Sequence, residues 1–166
     1  MSKIGLLISG GIDSRVLKHM KPDYPRIHFT NDADVYHDDS AIFIDISSYE
    51  SKAEGMMAEA QRLKDEQGFT NFCYGYHRKY PELDSVWGWT PEEDKPAEQP
   101  FREWYKHDII RYASENDIDL RDCISCLSVH ATVSSGDACG ECYQCRQIEV
   151  AKQRLDSDGF DYSNVI

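Results

Sequence analysis

The sequence predicts an α/β protein built on a parallel β-sheet, with a small metal-binding module at its carboxyl end. Short apolar runs suited to buried strands alternate with segments of helical periodicity. Two adjacent glycines directly follow the first apolar run, and most of the six cysteines fall in the last quarter of the 166-residue chain. We therefore expect an α/β domain over residues 1–121, with a metal-binding module over residues 122–166 packed on the same domain.

The first half of the chain supplies three of the expected strands. Residues 4–8 form an apolar run that predicts a buried strand, and residues 13–20 predict a helix that begins at the glycines. Residues 26–30 predict a second strand, and a polar loop over residues 31–40 follows it. Residues 41–46 are continuously apolar up to an aspartate, so we expect a third strand that is covered on both faces of the sheet.

A second helix and a fourth strand come next. Ser51 and Glu54 have the spacing of a capping box, and Gly68 is suited to end the helix. Residues 71–76 predict the fourth strand. The apolar positions of the helix recur at helical spacing, and we assign them to the core, the methionines included: Ala53, Met56, Met57, Ala60 and Leu63.

The chain is irregular over residues 77–99, and a loop of this length in a compact domain is usually functional or mobile. Pro100 stands at a plausible first position of a helix that ends near Asn116. The apolar stripe of that helix comprises Phe101, Trp104, Tyr105, Ile109, Tyr112 and Ala113.

The loop between the first strand and the first helix reads Ser-Gly-Gly-Ile-Asp-Ser at residues 9–14. Glycines allow a sharp turn and a close approach to a ligand, and the helix N-terminus that follows attracts anions. Ser9 and Ser14 add hydroxyl donors, and Asp13 is a candidate ligand for Mg²⁺. The alternative is a simple glycine turn. The spacing matches neither the Walker P-loop nor the dinucleotide loop.

Cys139, Cys142 and Cys145 form a Cys-x-x-Cys-x-x-Cys run whose thiolates can converge on one ion. Cys126 is the best candidate for a fourth ligand, Cys123 is its rival, and His130 is a weaker one. The pattern is compatible with zinc and also with an iron–sulfur cluster. Four cysteine ligands would leave no open position on a zinc ion, so we expect a structural role.

Composition limits the partners and the location. The chain carries 18 basic and 30 acidic residues, a net charge of −12, which argues against a general nucleic-acid surface. It contains no long apolar run and no signal-peptide pattern, so we expect no membrane span and a cytoplasmic protein.

The loop at residues 9–14 resembles the Ser-Gly-Gly-x-Asp-Ser signature of the PP-loop ATP pyrophosphatases, which cleave ATP between the α- and β-phosphates. The resemblance implies a Rossmann-like fold of the adenine nucleotide α-hydrolase type, with Mg²⁺ bound beside the ATP. Many members of this family have a small hydroxyl residue at the position of Arg15, which could contact phosphate here or point to solvent.

Two further segments resemble the 7-cyano-7-deazaguanine synthase family of PP-loop enzymes. Ser125-Cys126 and the Cys-Gly-x-Cys-x-x-Cys run at residues 139–145 match its zinc motif, which implies Zn²⁺ bound by Cys126, Cys139, Cys142 and Cys145. The segment 100–110, Pro-Phe-Arg-Glu-Trp-Tyr-Lys-His-Asp-Ile-Ile, places Lys106 where related enzymes have a lysine that faces the phosphates. The family also forms homodimers.

This resemblance implies a ligase that adenylates the carboxylate of 7-carboxy-7-deazaguanine, then uses ammonia to form an amide and, after a second activation, the nitrile. It implies catalytic roles for Asp13, Ser14 and Lys106. The ATP-binding residues are then Ser9, Gly10, Gly11, Ile12, Asp13, Ser14 and Phe29. We assign Arg78 and Arg102 to the substrate carboxylate, and Tyr76, Trp87 or Trp89 to stacking on the deazapurine.

The chain also departs from that family. It is shorter by several tens of residues, the helix expected between the second and third strands is missing, and the substrate loop lacks its usual cysteine–arginine pair. Two other functions therefore stay open. One is a PP-loop enzyme that thiolates a tRNA base, with Cys73 or Cys123 as its reactive cysteine. The other is a non-catalytic protein that binds a nucleotide.

Overall fold

A computed structural model describes residues 2–30, 36–85 and 97–166. They contain four strands, four α-helices and one short 3₁₀ helix. In chain order the elements are β1 (Lys3–Leu7), α1 (Ile12–Met20), β2 (Arg26–Thr30), β3 (Ala41–Asp45), α2 (Lys52–Gln67), β4 (Phe69–Cys73), the 3₁₀ helix (Pro81–Leu83), α3 (Lys106–Glu115) and α4 (Tyr143–Ser157).

The four strands form one parallel sheet in the order β3-β2-β1-β4, which confirms the predicted α/β class. From β1 the chain moves outward to β2 and β3, and then crosses back to place β4 on the other side of β1. The strand order therefore reverses beside β1. In open α/β sheets, ligands bind outside the carboxyl ends of the strands at this reversal point.

Two apolar clusters surround the sheet. One joins β1 to α1, α3 and α4, and it reaches from Leu6 to Val165. The other joins the remaining strands to Leu63 of α2. Because Ala151 and Leu155 of α4 belong to the first cluster, the cysteine-rich end of the chain shares its core with the strand that precedes the glycine loop.

Helix α2 begins and ends where the sequence predicts, whereas helix α3 begins at a different residue. Ser51 caps α2 as predicted, accepting a hydrogen bond from the Glu54 amide at 3.2 Å, and Gly68 ends the helix at a φ of 70°. The prediction of a helix start at Pro100 is wrong. Helix α3 begins at Lys106, because the Asp108 carboxylate accepts the Tyr105 amide at 2.8 Å and caps the helix there.

Three other expectations need correction. Strand β3 is not covered on both faces, since it lies at the sheet edge and leaves Ile42 and Phe43 about two-fifths exposed. Met57 is 71% exposed and Ala53 is also exposed, so neither belongs to the core. The fourth strand is Phe69–Cys73 instead of residues 71–76. None of the helices among the described residues is long and apolar enough to cross a membrane.

Candidate functional site

The glycine loop connects β1 to α1 at the carboxyl edge of the sheet and is held by its own hydroxyl groups. The Ser9 amide donates to Ser14 Oγ at 2.7 Å, and the two serine hydroxyls lie 3.2 Å apart. The Gly11 amide donates a longer hydrogen bond, 3.4 Å, to Ser9 Oγ. Gly11 is the extended N-cap residue of α1, so the first turn of the helix starts directly behind it.

The two glycines have different surroundings. A side chain on Gly10 would come within 2.7 Å of Ile124 Cδ1 and 2.9 Å of the Tyr36 ring, so only glycine fits without a shift. A Cβ on Gly11 would meet nothing closer than 3.5 Å, which leaves the backbone there open to a ligand. The first amides of a helix lack intrahelical partners and sit at the positive end of its dipole. The loop can therefore bind an anion.

A buried ion pair lies beside this loop. Lys106 Nζ, at the start of α3, is 2.6 Å from Asp13 Oδ1 in the first turn of α1. Lys106 is 1% exposed and the Asp13 side chain is 19% exposed. The structure thus brings together two residues that the sequence separates widely, and it places a desolvated cation next to the candidate anion site.

His77 lies beside this pair and is a site residue that was not predicted from the sequence. Its Nε2 lies 3.9 Å from Asp13 Oδ2, and its Nδ1 lies 2.9 Å from the Arg78 carbonyl. Burial and the Lys106 cation lower the pKa of His77 to about 4, so the ring is neutral at pH 7. The sequence does contain a signal for His77, because a polar residue that follows the fourth strand is expected at the carboxyl edge of the sheet, where the site lies.

Acidification should destabilise the fold through His77. The unfolded pKa is about 6.5 and the folded value is lower, so the stabilising contribution is complete above pH 6.5 and is lost as the pH falls toward 4. We expect a loss of at most about 3 kcal/mol in the free energy of unfolding.

Urea unfolding at about pH 7.5 and about pH 4.5 measures this loss. The loss of stability between the two pH values should be smaller in His77→Gln than in the unchanged protein. His19→Gln, in an exposed position on α1, is the control. An unchanged loss in His77→Gln contradicts the prediction.

Four cysteine sulfurs converge at the start of α4. Those of Cys126, Cys139, Cys142 and Cys145 all lie within 4.8 Å of one another. The Cys142–Cys145 and Cys139–Cys145 separations are 3.5 and 3.9 Å. Tetrahedral zinc with Zn–S bonds of about 2.3 Å requires sulfurs about 3.8 Å apart. This cluster could therefore hold a metal ion such as zinc.

Backbone amides support the thiolate forms of Cys139 and Cys126, whereas burial raises the pKa of Cys145. The Cys142 amide donates to Cys139 Sγ at 3.3 Å, and the Cys139 amide donates to Cys126 Sγ at 3.5 Å. Amide donation from Cys142 and Glu141 lowers the pKa of Cys139 to about 6. Thiolates are the form of cysteine that binds metal.

The cluster distinguishes Cys126 from its rivals. Among the described residues, neither Cys123 nor His130 belongs to it. Cys123 is 1% exposed and lies in the main apolar core, where burial raises its pKa to about 11. Cys73 is also fully buried, and its pKa is raised to about 12.

The predicted substrate residues lie in different surroundings. Arg78 and Arg102 both approach Glu103, at 3.7 and 3.9 Å, so the structure brings these two guanidinium groups to one carboxylate. The Tyr76 ring packs edge-on against Tyr74. Trp87 and Trp89 lie outside the described residues.

Phe29 and Arg15 are two further candidates for contacts with the nucleotide. Phe29 is 5% exposed and packs in the second apolar cluster at the end of β2. Arg15 is ion-paired within the protein. Its guanidinium pairs with Asp122 at 2.9 Å and donates to the Asp119 carbonyl at 3.3 Å.

These residues define an α/β protein with an anion-competent glycine loop at the strand-order reversal and a four-cysteine site beside it. No protein-family model matches the chain, and no curated protein matches it.

Proposed function

We propose that the chain is a PP-loop ATP pyrophosphatase that acts as a 7-cyano-7-deazaguanine synthase-like ligase. The observation that carries this proposal is the glycine loop at the reversal point beside β1, with the buried Lys106–Asp13 pair at its side. The Ser-Gly-Gly-x-Asp-Ser pattern alone describes a turn. Its position in a parallel sheet, next to a desolvated cation, is what favours a polyphosphate ligand.

In this proposal the loop holds the part of ATP that leaves. The amides at the start of α1 and the hydroxyls of Ser9 and Ser14 donate to the pyrophosphate oxygens. Lys106 supplies a cation at the same phosphates. Mg²⁺, held by Asp13, would neutralise further phosphate charge. Catalysis is then mainly positioning and electrostatic stabilisation of the leaving group.

The reaction proceeds by activation of a carboxylate. A carboxylate oxygen attacks the α-phosphorus, the bond to the β-phosphate bridging oxygen breaks, and pyrophosphate leaves. Ammonia then attacks the acyl carbon, and AMP leaves to give the amide with release of a proton. A second ATP activates the amide oxygen in the same way with release of pyrophosphate, and loss of AMP and of both protons of the amide nitrogen gives the nitrile.

On the acceptor side, Arg78 and Arg102 are the proposed anchors for the deazapurine carboxylate. Both now face the exposed carboxylate of Glu103, which a substrate carboxylate of the same charge could replace. Tyr76 and Trp87 are the proposed stacking partners of the ring.

We further propose that the four cysteines hold one structural zinc ion. In a polynuclear iron–sulfur cluster the thiolates bind different irons and must spread apart, whereas these sulfurs all lie within 4.8 Å. With four cysteine ligands the ion has no open position for chemistry.

A thiolation enzyme is the weaker alternative. It needs a reactive cysteine, yet burial keeps Cys73 and Cys123 as thiols at neutral pH, and the net charge of −12 opposes binding of tRNA.

The test is an assay of AMP and nitrile formation from ATP, Mg²⁺, ammonium and 7-carboxy-7-deazaguanine. We expect both products, with AMP dependent on the acceptor. AMP release that does not depend on the acceptor, or no AMP release at all, overturns the proposal. Nucleotide binding without AMP would indicate the non-catalytic alternative.

A further inference from the structure

The segment of residues 122–126, which leads into the four-cysteine cluster, also contacts the glycine loop. The Ile124 amide donates to the Gly10 carbonyl at 2.8 Å, and the Ile124 side chain covers the Cα of Gly10 closely enough that a Cβ there would lie 2.7 Å from Cδ1. Two residues further along the chain is Cys126, a member of the four-cysteine cluster.

The same segment is fixed at both ends. On one side, Arg15 of α1 pairs with Asp122 at 2.9 Å. On the other, Cys145 Sγ lies 3.8 Å from the Ser125 carbonyl, and the Ser125 amide donates to the Ala131 carbonyl at 2.8 Å. A displacement of Cys126 would therefore be passed to Ile124 through only one intervening residue.

We propose that Ile124 is a positioning residue through which the four-cysteine site sets the shape of the glycine loop and its affinity for pyrophosphate. A metal ion bound by Cys126, Cys139, Cys142 and Cys145 fixes the end of the segment, and Ile124 holds Gly10 in the conformation that presents the loop amides. The affinity part rests on the proposed function. The contact between segment and loop does not.

The first arm compares variants with the metal bound. Ile124→Ala should weaken binding of Mg²⁺-pyrophosphate about tenfold and speed amide hydrogen exchange in the loop peptide, without changing metal content. Ile124→Val, which keeps a carbon at the Cγ1 position but lacks the Cδ1 that lies closest to Gly10, should have an intermediate effect on the affinity. Leu127→Ala is the matched control, because Leu127 follows Cys126 directly but is 48% exposed. Unchanged loop exchange in Ile124→Ala overturns the proposal.

The second arm weakens the metal site with Cys139→Ser, which alters the exposed ligand. We expect faster exchange in residues 120–133 and in residues 9–14 together, while peptides of α2 stay protected. Faster exchange in residues 120–133 with a protected loop overturns the proposal. If the intact protein binds no pyrophosphate, the proposed function fails, and the exchange measurements still decide whether Ile124 positions the loop.

Discussion

Asp13→Asn and Lys106→Met are expected to reduce the same activity strongly while having different consequences for stability. Either change should lower acceptor-dependent AMP formation at least about 100-fold, because each removes a charge from the phosphate site. Asp13→Asn also leaves the Lys106 ammonium buried with no compensating carboxylate at 2.6 Å. Loss of one partner from a buried pair costs about 3–5 kcal/mol.

Lys106→Met replaces that ammonium with an apolar chain of similar length. The Asp13 carboxylate left behind is 19% exposed and can be hydrated. We therefore expect the free energy of unfolding to change by less than about 1 kcal/mol, or to rise. Urea unfolding of both variants, with the AMP assay alongside, checks the contrast.

Lys52→Met is the matched control for this pair of variants. Lys52 opens α2 as Lys106 opens α3, but it is exposed. It should keep full activity and near-normal stability. If Lys106→Met retains AMP formation, Lys106 has no role at the phosphates. If Asp13→Asn is as stable as the unchanged protein, the pair does not balance a buried charge.

Replacing one cysteine of the four-cysteine cluster is expected to remove the metal ion and to unfold part of the protein. Cys145 is 8% exposed at the start of α4, and that helix contributes Ala151 and Leu155 to the main apolar cluster. Structural zinc binding contributes on the order of 10 kcal/mol to folding, comparable to the whole stability of a domain. Cys145→Ser should therefore lose the metal and largely unfold α4.

Metal analysis of the purified protein and circular dichroism measure these two effects. We expect one zinc ion per chain in the unchanged protein and well under one in Cys145→Ser. Cys123→Ala is the control, since Cys123 is equally buried but lies outside the cluster, and it should keep its zinc. A folded Cys145→Ser protein without metal contradicts the structural role. Iron in place of zinc would overturn the identity of the ion.

Local patterns carried most of the fold prediction. The second strand, the Ser51 cap and the parallel α/β class are confirmed, because each depends on neighbouring residues or on the repeated alternation of strand and helix. The prediction for β3 failed for a different reason. Its apolar composition is the same in the centre of a sheet or at its edge, and only the strand order leaves Ile42 and Phe43 partly exposed.

The start of α3 was predicted wrongly for a local reason. Pro100 is compatible with a first helical turn. The Asp108 carboxylate, however, accepts the amide of Tyr105, five residues after Pro100, and caps the helix there. Both are local signals, and the wrong prediction came from the proline.

The sequence by itself determined the parallel α/β class, the glycine loop and the four-cysteine motif, because these are properties of short segments and their spacing. Only the tertiary structure decided that Lys106 pairs with Asp13, that His77 joins them, and that Ile124 holds Gly10. It also selected Cys126 over Cys123. These contacts join residues far apart in the chain, and folding brings them together at the carboxyl edge of the sheet.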